Sequence, residues 1–369
     1  MSQKVNKIVN GPIPDSFMAD ESTRLESLKF DGQNLQVLDQ LLLPHEIRWI
    51  PIDGVTAAFA VIKSMQVRGA PLIAVVGSLG LLLELQKMSQ LGSEDVKQKI
   101  AYLISSRPTA VDLRNAVNGL IPILEESGSS DAEKLERCRS HLLDVYTSEK
   151  LQNRTLVWNG YQELISAFPN TEKLTVMTIC NTGSLATVSW GTALGVIRAL
   201  HSENRLKMVY VLETRPYNQG VRLTATELLH GGVPFKLITD SMAAWTMKNH
   251  QVDCVLTGAD NVARNGDTAN KIGTYMLAVL CQHHNVNFYP VVPFTSINRK
   301  IASGDEIRIE ERPSGEMLRV NGVLVGDEKI PVWNPAFDVT PATLITKILT
   351  DFGNWKPEDL EGQIQSFVS

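Results

Sequence analysis

Two residues combine reactive chemistry with a setting that suits it, and both stand where an apolar run gives way to small and polar residues. Asp260 follows Val255-Leu256-Thr257-Gly258-Ala259, so its carboxyl sits where an apolar strand opens into a loop. Partial burial there raises a carboxylate's pKa and lets it deliver or collect protons near neutrality. An Asp that merely caps a neighbouring loop would look the same. Cys180 ends the run from Leu174 and precedes Asn181-Thr182-Gly183-Ser184, a stretch of backbone donors leading into a predicted helix. Such surroundings activate a thiol and stabilise a developing oxyanion; a buried, inert Cys is the alternative. No His has a sequence-evident claim to pair with it, which leaves a thiol hydrolase poorly supported.

Anion binding is suggested at three further places. Val67-Arg68-Gly69-Ala70-Pro71 joins two apolar helical patterns, with Pro71 suited to a first helical position. Helix-start N–H groups beside a guanidinium make a phosphate cradle, although a plain interhelix turn has the same pattern. Arg107-Pro108-Thr109 precedes another predicted helix, and Asn270-Lys271 is expected in the first turn of the helix after Asp260. Gln219, within Tyr217-Asn218-Gln219-Gly220, offers an amide to sugar hydroxyls. Asp253 and Asp267 read as turn and helix-start residues. The sequence carries no Walker A pattern, no GxGxxG after a strand, no HExxH, no GxSxG and no Cys/His metal spacing, and His283-His284 reads as the end of a helix. These patterns favour a mechanism with no cofactor and no metal.

The elements that must position these residues fall into two regimes. Residues 1–25 have neither an apolar core segment nor an Arg-rich amphipathic pattern, and are expected to form a flexible tail without a targeting signal. Extended stretches are expected at Leu25 to Phe30 and Leu35 to Leu43. Apolar residues then recur at three and four over Gly54 to Val67, Pro71 to Met88, Ser93 to Ile104, Ala110 to Glu126 and Asp131 to Leu151. After Pro169 short β-rich runs alternate with helical ones, the signature of a parallel sheet with crossover helices. Strands are predicted at Leu174 to Cys180, Met208 to Glu213, Phe235 to Thr239, Val252 to Thr257 and Phe288 to Val292. Helices are predicted at Ser184 to His201, Val221 to His230, Ser241 to Asn249 and Thr268 to His283. This gives an α/β chain with a mostly helical N-terminal domain over 26–155 and a catalytic domain over 156–369. Open parallel sheets bind ligands beyond their strands' carboxyl ends, where Cys180 and Asp260 both fall.

A length of 369 residues with 43% hydrophobic and 20% charged content describes an ordinary folded protein of two domains. A net charge of -5 with dispersed Lys and Arg argues against nucleic acid as a partner. The longest apolar stretches are interrupted too often to cross a bilayer, so no membrane partner is expected. Cys138, Cys180, Cys254 and Cys281 lie far apart without a CxxC pair, which argues for a reducing compartment such as the cytosol.

Taken in order, several of these segments form a recognisable series: Val67 to Pro71, Ser106 to Val111, Ile179 to Thr187, Glu213 to Gly220, Gly258 to Asp260, Asn265 to Thr274, and Asn334 to Pro341. From about residue 26 onward the chain resembles the methylthioribose-1-phosphate isomerase family. The resemblance implies a cofactor-free aldose–ketose isomerase of methionine salvage, with a Rossmann-like C-terminal domain, a homodimeric assembly and a cytoplasmic and nuclear location. It makes Asp260 the proton donor and Cys180 the transition-state stabiliser, and implies substrate contacts from Arg68, Gly69, Ala70, Arg107, Gln219, Asn270 and Lys271.

The chain departs from the family pattern at Asn261, Asp112, Asn298, Ile179 and Leu72, none of them an implied contact. Two relatives of the same architecture give competing readings. One is a non-catalytic scaffold like the regulatory subunits of the translation-initiation guanine-nucleotide exchange factor; retention of Cys180, Asp260 and the phosphate-site residues argues against it. The other is ribose-1,5-bisphosphate isomerase, whose second phosphate would need positive charge where a methylthio group needs apolar contacts.

Overall fold

The computed structural model describes residues 12–320 and 322–368. The mixed α/β architecture expected from the sequence is present. Its N-terminal part opens with an antiparallel sheet of β1 (Leu28–Phe30), β2 (Leu35–Leu38) and β3 (Trp49–Ile52), with β2 in the centre. Helices α1 (Val55–Lys63), α2 (Ala70–Gln86), α3 (Ser93–Ser106), α4 (Val111–Asn118) and α5 (Ile121–Glu125) follow. Helix α2 is apolar around most of its circumference, with buried residues from Leu72 to Leu85 on every side, and it forms the axis of the N-terminal core. The single helix expected over 110–126 breaks in two at Gly119-Leu120, where Pro122 opens a second short helix.

Helix α6 (Asp131–Ala167) starts on a capping box, in which Ser130 and Glu133 satisfy each other's backbone N–H groups. The spacing predicts an end at Leu151, but the helix runs on to Ala167 through Asn159-Gly160, where a Cβ would press within 2.6 Å of Val196, and the first proline after Leu151 is Pro169. The boundary expected at 155 therefore lies inside this helix, which packs on α2 at one end and on the C-terminal layer at the other. Residues 1–11 of the expected N-terminal tail lie outside the described residues. The rest of that segment is held down: Phe17 and Met18 are buried against Val157, Trp190 and Ala199, and Arg198 donates to the Thr23 carbonyl at 2.7 Å.

The C-terminal part is built on a five-stranded parallel sheet: β4 (Leu174–Thr178), β5 (Leu206–Leu212), β6 (Phe235–Ile238), β7 (Cys254–Thr257) and, later in the chain, β10 (Asn287–Pro290). Their spatial order is β10-β7-β4-β5-β6. The central strands β4 and β7 are buried at every residue, as strands covered on both faces by helices must be. The covering helices are α7 (Ala193–Ser202), α8 (Ala225–His230), α9 (Ala243–Asn249) and α10 (Thr274–His284). Separate apolar clusters lie on the two faces of the sheet.

Two expected helices differ. The one predicted from Ser184 begins only at Ala193, because Ser184 to Ser189 form a buried loop whose N–H groups at Ser184 and Leu185 are taken by Glu227. The one predicted from Thr268 begins at Thr274, after Gly273 at φ +100°. Thr268–Lys271 instead form strand β9, paired with β8 (Asn261–Val262) and with a later strand, Phe337–Thr340. Asn270 and Lys271 are thus strand residues rather than helix-start residues. Asp267 is a turn residue before β9, accepting from the Gly304 and Ala342 N–H groups.

Candidate active site

The sheet order places a crevice beside β4. From β4 the chain lays down β5 and β6 on one side, then returns to place β7 on the other, with Val176 and Met177 paired to Cys254 and Val255. Helices leave such a switch point on opposite faces and open a gap above the carboxyl ends of the two strands. Cys180 lies just beyond β4 and Asp260 just beyond β7. Both line one cleft of about 790 Å³, open mouth included, together with Arg68, Gly69, Ala70, Arg107, Gln219 and Lys271.

Cys180 is held in a left-handed backbone conformation, φ +65°, and so is the β-branched Thr214 beside it, φ +66°. Both are costly for residues with a side chain and persist only where surrounding bonds enforce them. Here the Cys180 N–H donates to Thr214 Oγ1 at 2.8 Å, and Thr224 Oγ1 donates to the Cys180 carbonyl at 2.6 Å. Asp240 in turn accepts the Thr214 and Arg215 N–H groups. Arg68 reaches over from the helical layer, donating to the Asn181 side chain at 2.7 Å and carbonyl at 2.8 Å, with Nη2 3.8 Å from Cys180 Sγ. A positive charge therefore faces the thiol.

The Asp260 N–H donates to the Ala269 carbonyl at 2.9 Å, which ties this strand end to β9. Its carboxyl receives no hydrogen bond from any of the described residues and faces the cleft. Burial pushes its pKa above the usual 3.8, against the opposing pull of Lys271, Arg107 and Arg68. Lys271 carries its ammonium over the Phe337 ring at 4.7 Å, and burial lowers its pKa despite Cys180 and Asp260 nearby.

Two helix starts converge on the same space. Gly69, at φ +98°, leads into α2, where a Cβ would press within 2.4 Å of the Ala186 carbonyl oxygen, so glycine is required for this approach. Arg107, Thr109 and Ala110 line the cleft just ahead of α4. Arg107 pairs with Glu310 at 3.2 Å, and its Nε is buried without a partner. Gln219 is 2% exposed, and its Oε1 likewise lacks a partner while its side chain borders the cleft. Cations, helix dipoles and an unsatisfied amide are the groups that a polyol phosphate would pair with.

Residues 66–357 match the Initiation factor 2 subunit family. A curated methylthioribose-1-phosphate isomerase from Caenorhabditis elegans is 81% identical over 364 residues, covering 99% of this chain and 100% of the relative. The chain belongs to the methylthioribose-1-phosphate isomerase family. A second family member, from Caenorhabditis briggsae, is 78% identical over the same length. Among solved structures, 5-methylthioribose 1-phosphate isomerase from Pyrococcus horikoshii OT3 superimposes with a TM-score of 0.84 at 34% identity, covering 96% of this chain and 99% of that one. Subunit delta of the translation initiation factor eIF-2B from A. fulgidus superimposes with a TM-score of 0.76 at 34% identity, covering 91% and 97%.

Eight of the nine residues that resemblance to the isomerase family singles out line the cleft. Asn270 does not: on β9 it alternates with Ala269 and Lys271, which do, and its Nδ2 donates to Thr274 Oγ1 at 2.9 Å. Conversely, Asn261, a departure from the family pattern and not an implied contact, lines the cleft with a buried, unpartnered Oδ1. Met65, Ile73, Ile307, Ile309 and Phe337 add an apolar wall that sequence reasoning missed. The alternation Ile307-Arg308-Ile309 carries a faint strand-like signal, but nothing local says which cavity it borders. The other departures serve structure: Leu72 and Ile179 are core residues, Asn298 caps the Lys300 N–H, and Asp112 accepts from Ser296 at 2.7 Å.

Proposed function

We propose that this chain is the aldose–ketose isomerase that converts 5-methylthioribose 1-phosphate to 5-methylthioribulose 1-phosphate in methionine salvage. A phosphate on C1 blocks the anomeric oxygen, so the furanose ring cannot open to a free aldehyde without acid. Asp260, whose pKa burial raises, gives its proton to the ring oxygen as the C1–O bond breaks. Hydrogen then moves from C2 to C1, through an enediol or as a hydride, and the proton of the C2 hydroxyl is lost as the ketone forms. Its return restores Asp260. Cys180, with Arg68 against it, stabilises charge that develops at C1 and C2. The phosphate sits on Arg68, Arg107, Lys271 and the helix start at Gly69-Ala70. Met65, Ile73, Ile307 and Ile309 give a methylthio group an apolar wall to pack against, with Arg308 as the cation on that side.

The observation that carries this reading is the shared cleft: an unpartnered carboxyl and a cation-faced thiol border one space fit for a sugar phosphate. Four free, buried cysteines support a cytoplasmic location, and exposed Leu229, Leu237, Met242 and Trp245 support a homodimer. Purified protein incubated with 5-methylthioribose 1-phosphate should yield the ketose, and a tenfold excess of ribose 1,5-bisphosphate should slow this little. No ketose with the first sugar, or preferential turnover of the second, would contradict the assignment.

A further inference from the structure

Behind the cleft wall, Glu227 of α8 is fully buried and gathers five donors. Its Oε1 accepts from Asn181 Nδ2 at 2.7 Å and from the Leu185 N–H at 3.3 Å. Its Oε2 accepts from the Ser184 N–H at 2.9 Å, Ser184 Oγ at 2.8 Å and Arg198 Nη2 at 3.2 Å. A Cβ at Gly183 would come within 2.3 Å of this carboxylate, so the loop after Cys180 is moulded directly onto it.

A carboxylate accepts hydrogen bonds and never donates, so the Asn181 amide must turn its NH2 toward Glu227. That leaves Oδ1 as the end facing Arg68, and it accepts from Arg68 Nη1 at 2.7 Å. Bound at one nitrogen in this way, the guanidinium brings Nη2 against both the Asn181 carbonyl and Cys180 Sγ. Thr224 Oγ1, which gives its own proton to the Cys180 carbonyl, accepts from the same Nδ2 at 3.3 Å, so with an amide in place of Glu227 only this longer bond on that side would oppose a flip that presents NH2 to Arg68. Neither Glu227 nor Asn181 lines the cleft.

We propose that Glu227 is a positioning residue for the isomerisation, aiming the Arg68 guanidinium at the Cys180 thiol through the Asn181 amide. The proposal rests on the roles assigned above to Cys180 and Arg68. Arg198, on the far side of the carboxylate, balances its charge and takes no part in the aim.

The test is steady-state kinetics with 5-methylthioribose 1-phosphate, alongside Tm, for wild type, Asn181→Leu, Glu227→Gln, the double variant and Arg198→Lys. Loss of the aim should lower kcat about 30–100-fold in either single variant, the scale of a slight misplacement of a catalytic group. KM should stay within about threefold, because Arg68 keeps its bond to the Asn181 carbonyl and the other phosphate contacts are untouched. Residues acting as one unit are non-additive, so the double variant should match the singles within about threefold. Arg198→Lys should lower Tm with kcat within about threefold of wild type. If Glu227→Gln fails to fold, Asn181→Leu decides alone, since it leaves the Arg198–Glu227 pair intact. Near-normal kcat in folded Asn181→Leu, an effect on KM alone, or multiplying losses in the double variant would overturn the relay. Absent wild-type turnover would instead contradict the proposed function, and the relay with it.

Discussion

Arg68 Nη2 lies 3.8 Å from Cys180 Sγ across a separation of 112 positions, so a guanidinium from the helical layer meets a thiol from the end of the central strand. This contact joins the two parts of the chain at the point where chemistry is proposed. Arg68→Ala should lower kcat/KM about 10²–10³-fold, the cost of removing one preorganised donor from a charge-stabilising site. Arg68→Lys should recover only part of that, because an ammonium cannot span the Asn181 carbonyl, the Asn181 side chain and the sulfur together. Kinetics of the two variants check this, and an Arg68→Ala enzyme within threefold of wild type would refute it.

The pH profile should carry the signature of Asp260. The residue acts as an acid only when protonated, a form that is complete below its pKa and declines above it. Burial has moved that pKa above 3.8, so the falling limb of kcat/KM should lie at higher pH than an ordinary Asp would give. An activity that falls through the range of an unperturbed carboxylate would contradict the role.

Stability should have its own pH dependence, set by a carboxyl distant from the reaction. Glu149 on α6 is half-buried with its Oε2 enclosed and unpartnered, and the loss of solvent raises its pKa from 4.5 to about 8. Between those values the folded state holds a proton that the unfolded chain releases, so its contribution is complete below 4.5 and is lost as pH rises through about 8. Glu149→Gln should therefore raise Tm by about 2–5 °C at pH 8.5 and leave it nearly unchanged at pH 4.5. Differential scanning calorimetry at both values measures the difference. A larger gain at the acidic pH would reverse the sign and rule the argument out.

Much of this arrangement was legible in the sequence, because buried parallel strands are continuous apolar runs whose ends are marked by small and polar residues. Cys180 and Asp260 were candidates on that ground, with an inert Cys and a capping Asp as alternatives until the family resemblance gave them roles. What escaped depended on partners remote in the chain. Strand β3 contains Pro51, which argues against a central strand, and the structure puts β3 at a sheet edge where proline is tolerated. Asn270 and Lys271 lay in a segment with helical spacing, and only pairing to β8 and to Phe337–Thr340 made it a strand. The wall of Ile307 and Ile309 comes from an irregular segment whose position is set by Glu310 reaching Arg107 and Thr109, roughly two hundred positions away.

The central claim is that a carboxyl and a thiol from neighbouring strand ends act on one sugar phosphate. Asp260→Asn tests it most directly, since the amide fills the same space, keeps the fold and cannot supply the proton. Turnover of 5-methylthioribose 1-phosphate by this variant should fall about 10²–10⁴-fold while substrate Kd, measured by calorimetry, stays within a few-fold. Near-normal turnover would contradict the account.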